Sequence, residues 1–457
     1  MTALTLPRPR RIRPVAMLVA AVGLVAATQL GAVVQAPPAR PAQPIVVSGP
    51  VTPPGAPVSA TPADLGRIDK AIATWTANLT RNDKDFISAA TLGMLYESRA
   101  RLSGDITDYT RAAEAATRSL AIEPRQLDVQ ALHARLLLAT HDFAKALTEA
   151  RAIDRAAPDQ PAVLSIIADA SLELGDIDLA AAQYARIEKI APGAAVTARL
   201  ARLSFLRGDP GGAVTQAEAA YAAADAEGQT GPALSWYGYL AGTLTLAAGS
   251  PETAAGWFDK ALAAWPGSYL ALAGRARASA AIGDTARAIA GYRAAIAVAP
   301  QPDALTALGD LLALGGDTAG ADDQYATVLA IARLQGGDGL VYNRQLVLFD
   351  VNHGRDLATA LTLAEQELAE RHDAYGYDAY AWALLANGRA AEADAAMAKA
   401  LAVGTHDALL LYHSAEIKLA LGDHAAARQL LGDALAITGA LDPLAAAKAT
   451  ATLAGLR

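Results

Sequence analysis

The sequence predicts an all-α fold, a solenoid of about ten helix-turn-helix units with a capping helix at each end. Three observations carry this. Pro124, Pro158 and Pro192 stand 34 residues apart, and Pro266 and Pro300 keep the same spacing. A short polar turn recurs about half a period from these prolines, so each period holds two helices. Strand-like alternation of Val, Ile and Thr is missing, while alanine, the strongest helix former, dominates the composition. A linear stack escapes the size limit of a single core, so most of the 457 residues fit one long domain.

The turn pairs are Gly104-Asp105, His141-Asp142, Gly175-Asp176, Gly208-Asp209, Gly249-Ser250, Gly283-Asp284, Gly316-Asp317, Gly354-Arg355, Gly388-Arg389 and Gly422-Asp423. Their successive gaps are 37, 34, 33, 41, 34, 33, 38, 34 and 34 residues. Glycine suits the left-handed residue that ends a helix, and aspartate caps the next one. A small residue follows five positions after most turns: Ala146, Ala180, Ala213, Ala254, Ala288, Ala321, Ala393 and Ala427. Two helices that cross closely need a small side chain there. One helical turn on comes a larger apolar residue: Tyr184, Phe258, Tyr292, Tyr325, Met397 or Leu431.

These residues resemble the tetratricopeptide repeat family, whose pattern is W-x2-L-G-x2-Y, then A-x3-F, then P. Leu92-Gly93-x2-Tyr96 is similar to its first part, and Leu308-Gly309-x2-Leu312 follows it more loosely. Ala180-x3-Tyr184 with Pro192, Ala254-x3-Phe258 with Pro266, and Ala288-x3-Tyr292 with Pro300 are similar to its second part. The resemblance covers residues 84–439 and implies a right-handed superhelix that binds proteins along its concave side. Leu348–Asp356, Tyr377–Trp382 and Gly404–His413 further resemble stretches of a group of exported bacterial members, a likeness that implies no particular activity.

The chain's start sets the expected compartment. Arg8, Arg10, Arg11 and Arg13 precede an apolar run from Val15 to Val34, and no acidic residue occurs before Asp64. That pattern marks residues 1–36 as a signal peptide or an N-terminal membrane anchor. In both cases the repeats lie outside the cytoplasm, at the cell envelope, periplasmic or secreted. Residues 37–62 hold nine of the 23 prolines and form an extended linker. The solenoid then occupies residues 63–457, opened by an amphipathic cap from Asp64 to Leu79 with Ile68, Ile72, Trp75 and Leu79 on one face. Leu444 to Leu456 caps the other end.

Charge and motifs exclude several classes of function. The net charge is −8, and −12 without residues 1–36, so no basic stripe exists to follow a nucleic acid. The absence of cysteine rules out disulfides and thiolate chemistry. No H-E-x-x-H, P-loop or G-x-S-x-G motif occurs, and Gly336-Gly337-Asp338-Gly339 reads as an insertion between units. No cofactor is expected, and membrane contact is expected only through the N-terminal segment.

The resemblance implies which side chains face the concave groove. They are Arg135, Asp169, Arg202, Phe205, Trp236, Tyr239, Arg277, Asp310, Arg344, Asp378, Trp382, Tyr412 and Glu416. Aromatic and arginine side chains anchor protein interfaces, so a protein or peptide partner is expected there. The family's carboxylate clamp is missing, because its lysine position holds Ala131, Ser165, Ala198, Tyr239 and Ala273. The rhythm breaks at the insertion Ala222–Leu234 and in the polar stretch around residues 350–413. There Asp350, His353, Asp356, Asp407 and His413, with Asp378, suggest a polar or metal-binding cluster. Three readings follow: a non-enzymatic scaffold, an enzyme or ligand-binding protein centred on that cluster, and a structural envelope spacer.

Overall fold

The structure, a computed structural model, describes residues 62–456 apart from 104, 106, 336–342 and 438. The expected signal or anchor, most of the linker, and Gly336–Gly339 lie outside the described residues. Among the described residues there are twenty-two α-helices and no strand. Helix α1 (Pro62–Arg81) precedes ten helix pairs, and α22 (Pro443–Gly455) follows them. Units 1 to 5 are α2 (Phe86–Ser103) with α3 (Thr107–Ile122), α4 (Leu127–Ala139) with α5 (Phe143–Ala156), α6 (Pro161–Glu173) with α7 (Ile177–Ile190), α8 (Ala194–Leu206) with α9 (Pro210–Ala226), and α10 (Gly231–Ala247) with α11 (Pro251–Ala264). Units 6 to 10 are α12 (Tyr269–Ala281) with α13 (Thr285–Val298), α14 (Pro302–Leu314) with α15 (Thr318–Gln335), α16 (Asn343–Asn352) with α17 (Leu357–Glu370), α18 (Ala374–Ala386) with α19 (Ala390–Leu401), and α20 (Ala408–Ala420) with α21 (His424–Ala436).

The turns form as their residues dictate. Gly175, Gly208, Gly249, Gly283, Gly316, Gly388 and Gly422 all have left-handed φ between 76° and 86°. The amide three residues beyond the helix then closes back on its last turn, as in Asp176 N to Ser171 O at 2.8 Å and Asp284 N to Ser279 O at 2.9 Å. The aspartate side chain next accepts from the amide three residues on: Asp176 from Leu179 at 3.0 Å, Asp209 from Gly212 at 2.8 Å, Asp423 from Ala426 at 3.0 Å. In unit 8 the cap moves one place along, to Asp356, because the turn carries an extra residue. His141 holds the left-handed position in unit 2 with φ 67° and stacks on Phe143.

The crossing alanines behave as the spacing requires. Ala146, Ala180, Ala213, Ala254, Ala288, Ala393 and Ala427 are completely buried, and Tyr184, Phe258, Met397 and Leu431 pack one turn further on. The extra residues between Ala222 and Leu234 mostly lengthen α9 and α10, which reach 17 residues each. Beyond them, Glu227 Oε1 accepts from Ala194 N at 2.9 Å and so caps the start of α8. Helix α1 covers the first unit, its Ile72 and Leu79 buried against Ala89 and Leu92.

Coiling brings distant units together. The turn at Gly175 in unit 3 meets His372 in the loop before α18, and the turn at Gly208 in unit 4 meets Gly404 and His406 in the loop before α20. A Cβ on Gly175 would stand 2.6 Å from the His372 carbonyl oxygen, and one on Gly208 would strike the Gly404 carbonyl. By contrast, a Cβ on Gly283, Gly316, Gly354, Gly388 or Gly422 meets nothing. One rung of the superhelix therefore rests on the next about six units later, edge to edge.

Two expected outcomes follow. Ala288→Leu, at a helix crossing, destabilises the chain by about 1–3 kcal/mol in urea denaturation, while Ala286→Leu on the exposed side of α13 stays within about 0.5 kcal/mol. Gly388→Ala costs about 1 kcal/mol from its backbone alone. Gly208→Ala costs more and raises the radius of gyration in small-angle scattering, because the added methyl separates two rungs.

Candidate functional site

Most successive first helices pack on one another (α2–α4–α6, α8–α10–α12 and α14–α16–α18–α20), whereas successive second helices do not pack as closely. The first helices therefore line the inner, concave side of the coil. Their facing side chains are joined helix to helix by polar pairs. Arg99 in α2 holds Asp69 of α1 at 2.7 Å. Arg135 in α4 makes two bonds of 2.7 Å to Glu97 of α2. In α8, Arg199 reaches Asp169 at 3.0 Å and Arg202 reaches Glu173 at 2.8 Å, both on α6. His353, in the turn just after α16, lies 2.8 Å from Asp310 of α14. Trp382 in α18 donates to Asn352 of α16 at 2.8 Å, and His413 in α20 lies 2.8 Å from Asp378 of α18. In units 3 and 7 a tyrosine of the second helix completes the arrangement, Tyr184 donating to Asp169 and Tyr325 to Asp310, each at 2.7 Å.

Much of the predicted surface is thus engaged between units. Arg135, Asp169, Asp310 and Asp378 are buried and paired with a neighbouring helix. Phe205 sits in the core of units 4 and 5. Trp236 and Tyr239 are half-buried on α10, Trp236 edge-on to Tyr237 and Tyr239 against Phe258. Arg277 is exposed on α12 and donates to the Ala440 carbonyl at 2.7 Å. The polar residues of 350–413 do not converge. Asp356 and Asp407 cap α17 and α20, Asp350 is buried near Arg355, and the two histidines belong to separate pairs. No group of three or more metal-ligating side chains exists among the described residues. His413 is fully buried with the Trp382 ring stacked on it at 4.0 Å, so the Asp378–His413 pair ties helix to helix.

Arg202 and Arg344 belong to a cluster where two rungs meet. Three carboxylates (Glu173, Glu367, Asp373) face three guanidinium groups (Arg202, Arg344, Arg371). Arg344 lies 2.7 Å from Glu367 and 3.0 Å from Asp373, and Arg371 pairs with Glu173 across the rungs. Burial alone would raise the carboxyls, but Arg344 and Arg371 hold Asp373 down at about 2, and Arg371 with Arg202 pulls Glu173 down. In Glu367 burial prevails and pushes the carboxyl up. Equal numbers of both charges make such burial tolerable. Nearby, burial and the Arg371 charge push the His141 imidazole down to about 4.

Sequence reasoning missed Glu97, Arg199, Glu173, Asn352, Arg371 and Asp373. A signal existed: the partners Glu173–Arg202, Asp169–Arg199, Asn352–Trp382 and Asp378–His413 are 29, 30, 30 and 35 residues apart, about one repeat. Opposite polarity one period apart on first helices predicts inter-unit pairing. The Arg371–Glu173 pair, 198 residues apart, had no such signal.

The C-terminal segment lies on this inner face. Helix α22 packs on α21 and also reaches across to α14. Ala440, Leu441, Ala445 and Ala449 are buried with Leu411, Tyr412 and Ala415 of α20, and Trp382 packs against them. Lys448 donates to the Asn352 carbonyl at 3.2 Å, and Glu416 is bonded by Thr452. Gly439 fits so tightly that an added Cβ would stand 2.6 Å from the Ala281 methyl of α12.

The architecture defines a helical-repeat solenoid whose first helices form the inner wall. Residues 131–195 match the tetratricopeptide repeat family, and the helix pairs on either side of that stretch repeat its helix-turn-helix architecture. Solved structures similar to it include the APC/C hetero-tetramer Cut9-Hcn1 at 16% identity and TM-score 0.37, covering 83% of this chain and 81% of that one. The human IFIT1 dimer with PPP-AAAA shows 14% identity and TM-score 0.43 over 81% of this chain and 87% of that one. Yeast Tom70 shows 14% identity and TM-score 0.35 over 86% and 93% respectively. Likeness at this level bears on no partner. No curated protein matches the sequence.

His353 gives a pH test. Burial would lower its pKa, but the bond to Asp310 and the 2.6 Å contact of Nδ1 with the Phe349 carbonyl raise it overall. Both ring nitrogens face acceptors, which favours the imidazolium. A raised folded value contributes stability that is complete below the unfolded value of about 6.5 and is lost as pH rises through the folded value. The melting-temperature gap between the wild type and His353→Gln is therefore wider at pH 5.5 than at pH 8.5. A gap that widens with pH contradicts the assignment.

Proposed function

We propose that this chain is a non-enzymatic scaffold that holds a protein partner on the inner face of its coil. The observation that carries this is the inner wall of units 6 to 10, which already accommodates an α-helix, α22. A surface that receives one helix through buried alanines, a tryptophan, a tyrosine and a few hydrogen bonds has the chemistry for a helical or extended protein segment. The wall continues into unit 5, where Trp236 and Tyr239 keep part of their surface open. Aromatic side chains of this kind anchor partners. The acidic balance of the chain argues against a nucleic acid.

The proposed setting is the cell envelope, outside the cytoplasm. It is supported by the arginine flank, the apolar run from Val15 to Val34 and the proline-rich stretch after it. Among the described residues no helix is long and apolar enough to cross a membrane. An anchor, where retained, would be that N-terminal segment.

Site-specific photo-crosslinking in cells tests the reading. A photoreactive residue at Tyr239, on the inner face, captures a discrete partner band, and one at the exposed Ile190 on α7 does not. Equal capture at both positions, or none at Tyr239, sinks the proposal.

A further inference from the structure

Helix α22 is seated more lightly than the paired helices of the stack. Within the helix two side chains are buried, Ala445 and Ala449, whereas α20 beneath it buries eight. Ala446, Leu453 and Leu456 pack half-buried along its edge, and hydrogen bonds complete its seat: Arg277 to the Ala440 carbonyl before the helix, Lys448 to the Asn352 carbonyl, Thr452 with Glu416, and Arg428 Nε to the Leu456 carbonyl after it at 3.1 Å. The wall under it also holds buried polar atoms without a hydrogen-bond partner among the described residues, Glu416 Oε1 and, on the same helix, His413 Nε2. Such atoms oppose closure of the seat. Helix α22 itself starts independently of the wall. Asp442 accepts from Ala445 N at 2.8 Å as its N-cap, and Pro443 fills its first turn. A self-capped helix on a shallow seat can leave as a unit.

Meanwhile α22 spans several units at once. It touches α14 of unit 7, Asn352 at the end of α16, and Tyr412 of α20, and the turn before it reaches α12 of unit 6. Occupying that span, it keeps any other helix off the inner wall of units 6 to 10.

We propose that α22 is a built-in, displaceable occupant of the inner face. The partner that replaces it is a protein helix of the same chemistry, with small residues four positions apart on one side and a basic residue beside them, as Ala445, Lys448 and Ala449 present. This rests on the reading of the inner face as a protein-binding surface. Tethering gives α22 a high effective concentration, so the closed state prevails until a competitor binds more strongly.

The test uses the full chain and a fluorescent synthetic peptide of residues 440–456. Ala449→Arg places a long charged side chain where no space exists and unseats α22. By fluorescence anisotropy this variant binds the peptide at least tenfold more tightly than the wild type. Hydrogen exchange shows faster exchange in α22 with the ten units still protected. Should Ala449→Arg fail to fold, a chain ending at Leu441 replaces it, with the same expectation. Equal binding by wild type and variant overturns the proposal. So does absence of binding to a folded chain whose α22 is unseated or missing. Either result leaves crosslinking at Tyr239 unaffected. Loss of that crosslink while the peptide still binds would instead remove the partner reading alone.

Discussion

Within most units the two helices meet at an alanine whose methyl is buried, and the rest of the molecule depends on how closely that lets them approach. The larger side chain one turn later fills the space that opens as the helices diverge. Repeating that contact gives each unit the same shape and therefore the same rotation onto the next. Such a stack is held by nearest-neighbour interfaces, so small regular rotations add up to a superhelix. The first helices end up crowded on the inner side, where their polar side chains have no water and must find each other. The inter-unit pairs, from Arg99–Asp69 to His413–Asp378, are the consequence. They satisfy groups that burial would otherwise leave unpaired.

Coiling then adds a level that the nearest-neighbour description lacks. Units 3 and 4 touch the loops of units 8 to 10 through two glycine turns and a buried cluster of six charges. A buried ion pair adds little net stability compared with a packed apolar contact, but it is exacting about geometry. Here it fixes which rung rests on which. It also draws Arg202 and Arg344 away from the groove, where repeat position alone would place them. The same tight coil brings α22 within reach of α14, so a segment expected to cap the last unit also lies across the inner wall.

The repeat pattern was legible because it is local. Pro158 and Pro192, the Gly-Asp turns and Ala180-x3-Tyr184 are all set by the backbone and by contacts within one or two units. Asp176, Asp209 and Asp423 cap the helices that the turn residues announce. Groove residues were less legible. Position in the repeat locates Arg135, Asp169 and Asp378 on the inner side, but burial there decides whether a side chain meets a partner or the next helix. The polar stretch of residues 350–413 looked like one cluster because its residues are close in sequence. Successive units instead carry them apart, Asp356 and Asp407 to helix starts, His353 to Asp310 and His413 to Asp378.

By itself the sequence determined the all-α repeat architecture, its roughly ten units and the turns within them, because periodic small residues, turns and caps act over a few residues at a time. Only the tertiary structure decided that the coil closes rung on rung, that Glu173 meets Arg371, and that α22 lies on the inner face. The physical reason is accumulation. Each unit adds a small rotation, and which distant surfaces finally meet depends on the sum over many units, a quantity no single repeat encodes.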